Sequence, residues 1–167
     1  MEKDIQLVDQ MEAALLSLLS SRKEAIQHYT QQDAFSHMVL SVAHWHADLY
    51  WNLCEKSDSE FEEWEEDDCD SQEFIILSDF DELPPVEQLC ASLDALNEEE
   101  HEGDSIQAVM EWTHSCLAAA FRRPLVMSAL AEVMNGKCPD DPARLDQVIQ
   151  VRDTDHYFEY NFLSVAS

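Results

Sequence analysis

The sequence predicts an all-α or mainly α fold, a single domain of about six helices spanning residues 1–167 with an acidic linker inside it. Only two glycines occur, Gly103 and Gly136, and both stand where helices would end, which argues against a β architecture with many hairpins. Apolar residues recur three and four positions apart over long stretches, as on the buried face of a helix. The 167 residues, 46% of them hydrophobic, suffice for one core.

Two helices are expected in the first third of the chain. The stretch from Asp4 to about Tyr29 carries one apolar stripe at helical spacing and predicts a first helix. Asp33 is a suitable N-cap for a second helix that runs to Leu53. The apolar stripe of this second helix is broadened by Trp45 and Trp51.

The composition changes abruptly near Glu55, and residues 55–73 are expected to form an acidic linker. Residues 57–70 read SDSEFEEWEEDDCD, and carboxylates three and four positions apart repel one another along a helix. An isolated helix is therefore not expected in this stretch. The short apolar run at 74–77 fits either a strand or a helical turn that docks on the core.

Proline and glycine mark four further helices in the second half of the chain. Their expected start signals are Leu83-Pro84-Pro85, Asp104 with Gln107, Pro124, and Asp141-Pro142, and Asn135-Gly136 is the expected end of the fifth helix. The last segment, 156–163, alternates aromatic and polar residues. It fits a short C-terminal strand, and an aromatic tail laid across a helical bundle fits equally well.

Charge gives the strongest indication of function. The chain has 36 Asp and Glu against 9 Lys and Arg, a net charge of −27. Such a surface repels nucleic acid and anionic membrane and attracts basic surfaces, so we expect a basic protein partner, no direct nucleic acid and no membrane binding. The alternative is that the acidity serves only solubility.

The acid is concentrated between Glu55 and Asp104, where 21 carboxylates face Lys56 alone. Phe61 and Trp64 stand in the most acidic run, and an aromatic anchor ringed by carboxylates suits docking on a basic groove. The alternative is that both aromatics pin the linker to its own core. The expected partner-binding residues are Phe61, Glu62, Glu63, Trp64, Glu65, Glu66, Asp67, Asp68, Asp70, Glu98, Glu99 and Glu100.

The cysteines and the termini bear on location. The five cysteines are odd in number and widely spaced, and they contain no C-x-x-C pair, which favours reduced thiols in a reducing compartment. No apolar run approaches the ~20 residues of a membrane span. The residues from Met1 to Asp4 do not begin a signal peptide. We therefore expect a cytoplasmic protein.

No catalytic signature is present. The sequence lacks a nucleophile elbow, a glycine-rich phosphate loop and H-E-x-x-H, so we expect neither an enzyme nor a cofactor. The carboxylates alone assign no acid and base pair.

The nearest approach to a metal site lies on the second predicted helix. There His37 and His44 would share one face, whereas His46 would point away from His44. Glu111-x-x-His114 offers one further ligand pair. A metal-binding or enzymatic helical bundle that uses these residues is thus an alternative, although the expected metal set is none.

Two resemblances add to these expectations. The stretch Leu49-Tyr-Trp-Asn-Leu53, then Asp79-Phe80-Asp81, the proline-led helix from Val86 to Leu93 and the helix after Gly103 resemble the YjaG-like all-helical bacterial proteins of uncharacterised function, over about half the chain. That likeness implies a helical bundle and no site residue. In size and acidity the chain also resembles the immunity proteins that bacteria pair with toxic nucleases, which implies neutralisation of a basic toxin. The alternative is a nucleic-acid-mimicking inhibitor of a host DNA- or RNA-binding protein.

Overall fold

The protein has an α/β fold, so the expected all-α bundle is wrong. A computed structural model describes residues 2–55, 74–98, 104–153, 155 and 157–165. The helices are α1 (Glu2–Ser21), α2 (Lys23–Gln31), α3 (Pro84–Glu98), α4 (Asp104–Phe121) and α5 (Pro124–Val133). The strands are β1 (Phe35–Ala43), β2 (Asp48–Glu55), β3 (Phe74–Ile76) and β4 (Ile149–Val151).

The four strands form one mixed sheet in the order β3-β2-β1-β4. β1 and β2 make an antiparallel hairpin, β3 continues antiparallel beside β2, and β4 joins the other side of β1 in parallel. The second predicted helix, from Asp33 to Leu53, is therefore a β-hairpin. The short run at 74–77 begins as strand β3 and ends as a 3₁₀ turn.

The helical interpretation of the hairpin failed because both faces of the strands are buried. Met38, Leu40 and Val42 face the main hydrophobic core, as period two requires. Val39 and Ala43 lie on the opposite face and are buried as well. A continuous apolar run of this kind fits the helical spacing and the strand spacing equally well.

The hairpin also shows why scarce glycine did not exclude a sheet. The chain reverses through a 3₁₀ turn at His44–His46 followed by Ala47, which takes a positive φ of 50°. That region is costly for a residue with a Cβ and is usually filled by glycine. The reversal thus occurs without the turn residue whose absence suggested a helical fold.

The helices and the sheet share one hydrophobic cluster. α1 packs against α3, α4 and α5, and the Phe121 ring of α4 meets the Trp51 indole of β2 edge-on at 6.4 Å. Met11, Leu15 and Leu19 of α1 are almost wholly buried in this cluster. The apolar stripe predicted for the first helix therefore does face the core, although Arg22 separates α1 from α2.

Several predicted helix ends are confirmed. α3 begins at Pro84 and α5 at Pro124, as the proline positions indicate. Asn135 and Gly136 follow α5 with positive φ values of 51° and 78°. Asp141 caps as expected, since its side chain accepts the amide of Ala143, but the helix that follows is a 3₁₀ helix at Pro142–Gln147 and leads into β4.

The C-terminal residues 157–165 form turns, and the short strand near this end is Ile149–Val151 instead. Asn161 ties the turns to β4: its side-chain oxygen accepts the Val151 amide at 2.9 Å, and its amide nitrogen donates to the Ile149 carbonyl at 3.4 Å. The rings of Phe158, Tyr160 and Phe162 contact one another in edge-on and tilted arrangements, with centroids 4.8 to 5.7 Å apart. The alternative of an aromatic tail laid against the core is thus the better description.

The two remaining expectations concern the acidic linker and the lack of a membrane-spanning segment. Of the predicted linker, 55–73, Glu55 ends β2 and residues 56–73 lie outside the described residues. Among the described residues, no helix combines the length and the apolar character that a membrane crossing requires.

Candidate functional site: the Trp45–α3 face

The outer face of α3 is a stripe of carboxylates. Glu87, Asp94 and Glu98 are all exposed, and at 100° per residue they fall within about 40° of arc around the helix. The opposite face of α3 is buried through Val86, Leu89 and Leu93. The amphipathic pattern of the helix therefore fixes the three acids in one row that faces solvent.

The segment before α3 extends this acidic surface. Asp79, Asp81 and Glu82 are exposed in the 3₁₀ turn at Leu77–Phe80 and the loop that follows it. Residues 79–98 contain no Lys or Arg, and the last turn of α3 has no basic residue to offset the negative end of the helix dipole. Six exposed carboxylates thus stand together in twenty residues without a neighbouring cation in the sequence.

An exposed tryptophan lies beside the C-terminal end of this stripe. Trp45, in the hairpin turn, has 53% of its surface exposed. The side-chain amide of Asn97 donates to the Trp45 carbonyl at 3.4 Å and so holds the turn against the last turn of α3. We call the surface formed by Trp45, Glu87, Asp94 and Glu98 the Trp45–α3 face.

Sequence reasoning missed Trp45, because it placed this residue in the apolar stripe of a helix. The polar run around it, His44 to Asp48, was the available signal of a turn. The exposed aromatic beside carboxylates was expected at Phe61 and Trp64, and those two residues lie outside the described part of the chain.

The basic side chains that the structure describes are engaged within the chain. Lys23 pairs with Glu132, and Arg123 pairs with Asp9 at 3.1 Å. The remaining cations with described side chains contact carbonyls, amide oxygens or rings: Arg22, Arg122, Lys137, Arg144 and Arg152. One of these contacts lies beside the acidic segment, because the Arg22 guanidinium stands 5.8 Å from the centre of the Phe80 ring. No described basic side chain pairs with Glu87, Asp94 or Glu98.

The predicted partner-binding set is only partly placed. Glu98 is the exposed last residue of α3, whereas residues 61–70, Glu99 and Glu100 lie outside the described residues. Glu55, after which the described residues break off, ends β2 at the opposite end from the Trp45 turn, and Phe74, where they resume, pairs with Asn52 within the strand. The seven steps along β2 from Asp48 to Glu55 span about 23 Å.

The histidines considered as metal ligands are separated by the sheet. His37 lies on the face of β1 opposite to Leu40 and Val42, while α4 packs on the Leu40 side through Phe121. His114 of α4 is completely buried, and its Nδ1 and Nε2 lie within hydrogen-bond distance of the Met110 carbonyl and the Val42 amide. His37 therefore cannot share one ion with His114, and no group of three metal-ligating side chains occurs in the described parts of the chain. His44 is in the 3₁₀ turn rather than on a helix with His37.

Comparisons with protein-family models, with curated proteins and with solved structures each found no match for this chain. The resemblance to YjaG-like proteins stays a prediction, and its implied all-helical bundle does not agree with the sheet.

Proposed function

We propose that this protein is a non-catalytic, cytoplasmic binding protein of the immunity type, which neutralises a basic, nuclease-type toxin through its acidic surface. The single observation that supports this proposal most is the Trp45–α3 face, where an exposed indole stands beside a row of carboxylates within a segment, residues 79–98, that contains no Lys or Arg. Large aromatic side chains supply contact energy at protein interfaces, and surrounding charges steer the encounter.

The arrangement suits a nuclease surface in particular. A nuclease binds its substrate with Lys and Arg placed to meet phosphates. A row of carboxylates on a rigid helix presents negative charge to the same side chains and blocks the substrate by occupying its site. The Trp45 indole adds a ring face for a cation–π contact with an Arg or Lys side chain of the toxin.

The proposal requires that a basic nuclease toxin is encoded beside the gene of this protein, and it is tested with that toxin. Complex formation is measured by isothermal titration calorimetry and toxin inhibition by a nuclease assay, at low and at physiological salt. We expect binding that weakens as salt rises, together with loss of nuclease activity. Binding to the neighbouring toxin with no inhibition, or no complex at all, would contradict the proposal. Inhibition of a host DNA- or RNA-binding protein instead would identify a nucleic-acid mimic.

A matched pair of variants locates the interface. The triple variant Glu87→Lys, Asp94→Lys, Glu98→Lys reverses the stripe, and Glu24→Lys, Asp33→Lys, Asp140→Lys makes the same change of net charge at exposed positions elsewhere. We expect the first to abolish binding and the second to weaken it slightly through the overall field. Equal loss in both would show that the Trp45–α3 face is not the contact surface.

Trp45→Ala tests the aromatic part of the face. Trp45 is about half exposed, so its removal should leave the fold intact while truncating the contact. Loss of a central aromatic anchor typically weakens binding by about 2 kcal/mol or more. Unchanged affinity would remove Trp45 from the interface.

A further inference from the structure

A groove on another side of α3 is separate from the Trp45–α3 face. It lies between α1, α3 and α4 and has a volume of about 210 Å³. Leu7, Leu96 and Trp112 give it an apolar floor, and the amides of Gln6 and Gln10 stand along the α1 side. Pockets for drug-sized ligands begin near 300 Å³, so this groove has room for one long side chain rather than for a whole small molecule.

One wall of the groove is held in place by a polar contact. The Trp112 indole N–H donates to the Asp4 carboxylate at 2.6 Å, which fixes the half-buried ring. A ring that is already oriented loses little freedom when a ligand stacks on it. The exposed Asp4 carboxylate also interacts with the N-terminal ammonium, and this contact together with the Trp112 N–H holds the pKa of Asp4 below its usual range.

The negative charge of the protein determines which kind of side chain the groove can receive. The side chains that line the groove are uncharged, and the chain as a whole carries −27. A second copy of the protein or an anionic ligand would be repelled by that field. A cationic side chain is attracted, and its aliphatic stem matches the apolar floor.

We infer that the groove receives an arginine side chain of a basic protein partner. A planar guanidinium stacks on an indole and offers five N–H donors to the Gln6 and Gln10 oxygens, whereas a lysine ammonium is more strongly hydrated and has no planar face to stack. This inference rests on the proposed function for the source of the arginine, and it adds a second point of contact for that partner.

The experiment titrates the full-length protein with the peptide acetyl-Gly-Arg-Gly-amide and follows the indole N–H signals by NMR. Trp112→Phe assigns the signal of Trp112. Ala95→Leu fills the groove from an exposed position on its α3 side, and Ala91→Leu makes the same substitution one turn earlier at an exposed position that does not line it. Acetyl-Gly-Lys-Gly-amide is the control for charge alone.

We expect the arginine peptide to shift the Trp112 signal in the wild type and in Ala91→Leu, but not in Ala95→Leu, and the lysine peptide to shift it less. No shift with the arginine peptide up to about 10 mM would overturn the inference, since that exceeds even weak dissociation constants. An equal shift in Ala95→Leu, or with the lysine peptide, would overturn it as well.

The outcome is separable from the proposed function. If the basic toxin binds Ala95→Leu as tightly as it binds the wild type, the groove is not used and the Trp45–α3 face still stands. If no basic partner is found, the peptide titration still decides whether the groove selects arginine.

Discussion

His114 accepts the backbone amide of Val42 at 3.3 Å and so continues the hydrogen bonding of β1 past the point where β4 ends. On this side of β1 the Met38 amide donates to the Val148 carbonyl, and the Arg152 amide donates to the Leu40 carbonyl. The Val42 amide is the next one that points to the β4 side of β1, but β4 has already ended at Val151. A histidine that sequence reasoning considered as a metal ligand is therefore a side-chain extension of the sheet.

Replacement of this imidazole should destabilise the fold. His114→Phe keeps a ring that can stack on Phe162, now 5.1 Å away, but leaves the buried Val42 amide without its acceptor. A buried amide that loses its partner costs about 1–3 kcal/mol. We expect that loss in the free energy of unfolding measured with urea. His114→Gln, whose amide oxygen reaches toward the Nε2 position, should lose less. Wild-type stability in His114→Phe would show that the bond contributes nothing.

Asp153 should be equally important for the turns that follow β4. Its carboxylate is fully buried and accepts the amides of Asp155, Tyr157 and Phe158 at 2.9, 2.8 and 3.1 Å. Asp153→Asn turns one acceptor into an N–H donor that faces an amide, and the expected cost is about 2 kcal/mol. Hydrogen exchange should accelerate at the three amides.

Glu159→Gln is the matched control for Asp153→Asn, because it removes one negative charge from an exposed position nearby. Both substitutions relieve the self-repulsion of the acidic chain to a similar extent. A difference in unfolding free energy between them therefore measures the three hydrogen bonds. Equal stability of the two variants would contradict the role given to Asp153.

Three cysteines should react slowly in the folded protein. Burial raises the pKa of the Cys90 and Cys138 thiols to about 11 and that of Cys116 to about 12, from an ordinary value of 9.0, and nearby carboxylates add to the effect. At pH 8, a thiol whose pKa lies two above its ordinary value has a reactive thiolate fraction about 100-fold smaller. Iodoacetamide labelling followed by peptide mass spectrometry should show these three sites protected in buffer and modified in urea. Fast labelling of Cys90 in buffer would contradict this expectation.

The raised pKa of these thiols should make the free energy of unfolding depend on pH in the alkaline range. A pKa that is higher in the folded protein means that the unfolded chain releases the proton first as pH rises. The stability associated with the neutral thiols is thus complete below about pH 9 and is lost as pH rises toward 11 to 12. Urea unfolding between pH 8 and 10.5 should show a decline that is smaller in Cys116→Ala, after correction for the lower stability of that variant at pH 8. An identical decline would contradict a contribution from Cys116.

The helix ends could be predicted from the sequence because they depend on a few local residues. Proline restricts the backbone at Pro84 and Pro124, Asn135-Gly136 tolerates the positive φ that follows a helix, and the structure confirms each position. The hairpin could not be predicted in this way. Its identity depends on burial of Val39 and Ala43 on the second face of the sheet, which is a tertiary property.

The acidic part of the Trp45–α3 face could be predicted from the sequence, but the position of Trp45 could not. The acidity of residues 79–98 is visible in the sequence, and the spacing of Glu87, Asp94 and Glu98 follows from the helix. The nearness of Trp45 is not visible, because it depends on the hairpin turn lying against Asn97. Asp153 and Asn161 likewise carry no sequence signal, since their partners are backbone groups of an irregular segment.

Replacement of Glu98 by lysine should stabilise the fold and at the same time weaken binding of the partner. It is an exposed carboxylate at the C-terminal end of α3, where the helix dipole is negative and no basic residue stands in the last turn. Glu98→Lys should raise the free energy of unfolding by about 0.5 kcal/mol, because a cation at this end is favourable and the substitution relieves repulsion from Asp94. The same variant should bind the basic partner more weakly, with a slower association rate at low salt. Urea unfolding and stopped-flow association measure the two effects on one protein. A variant that is more stable and binds as fast as the wild type would show that the Glu98 carboxylate contributes neither to the stability of the fold nor to binding of the partner.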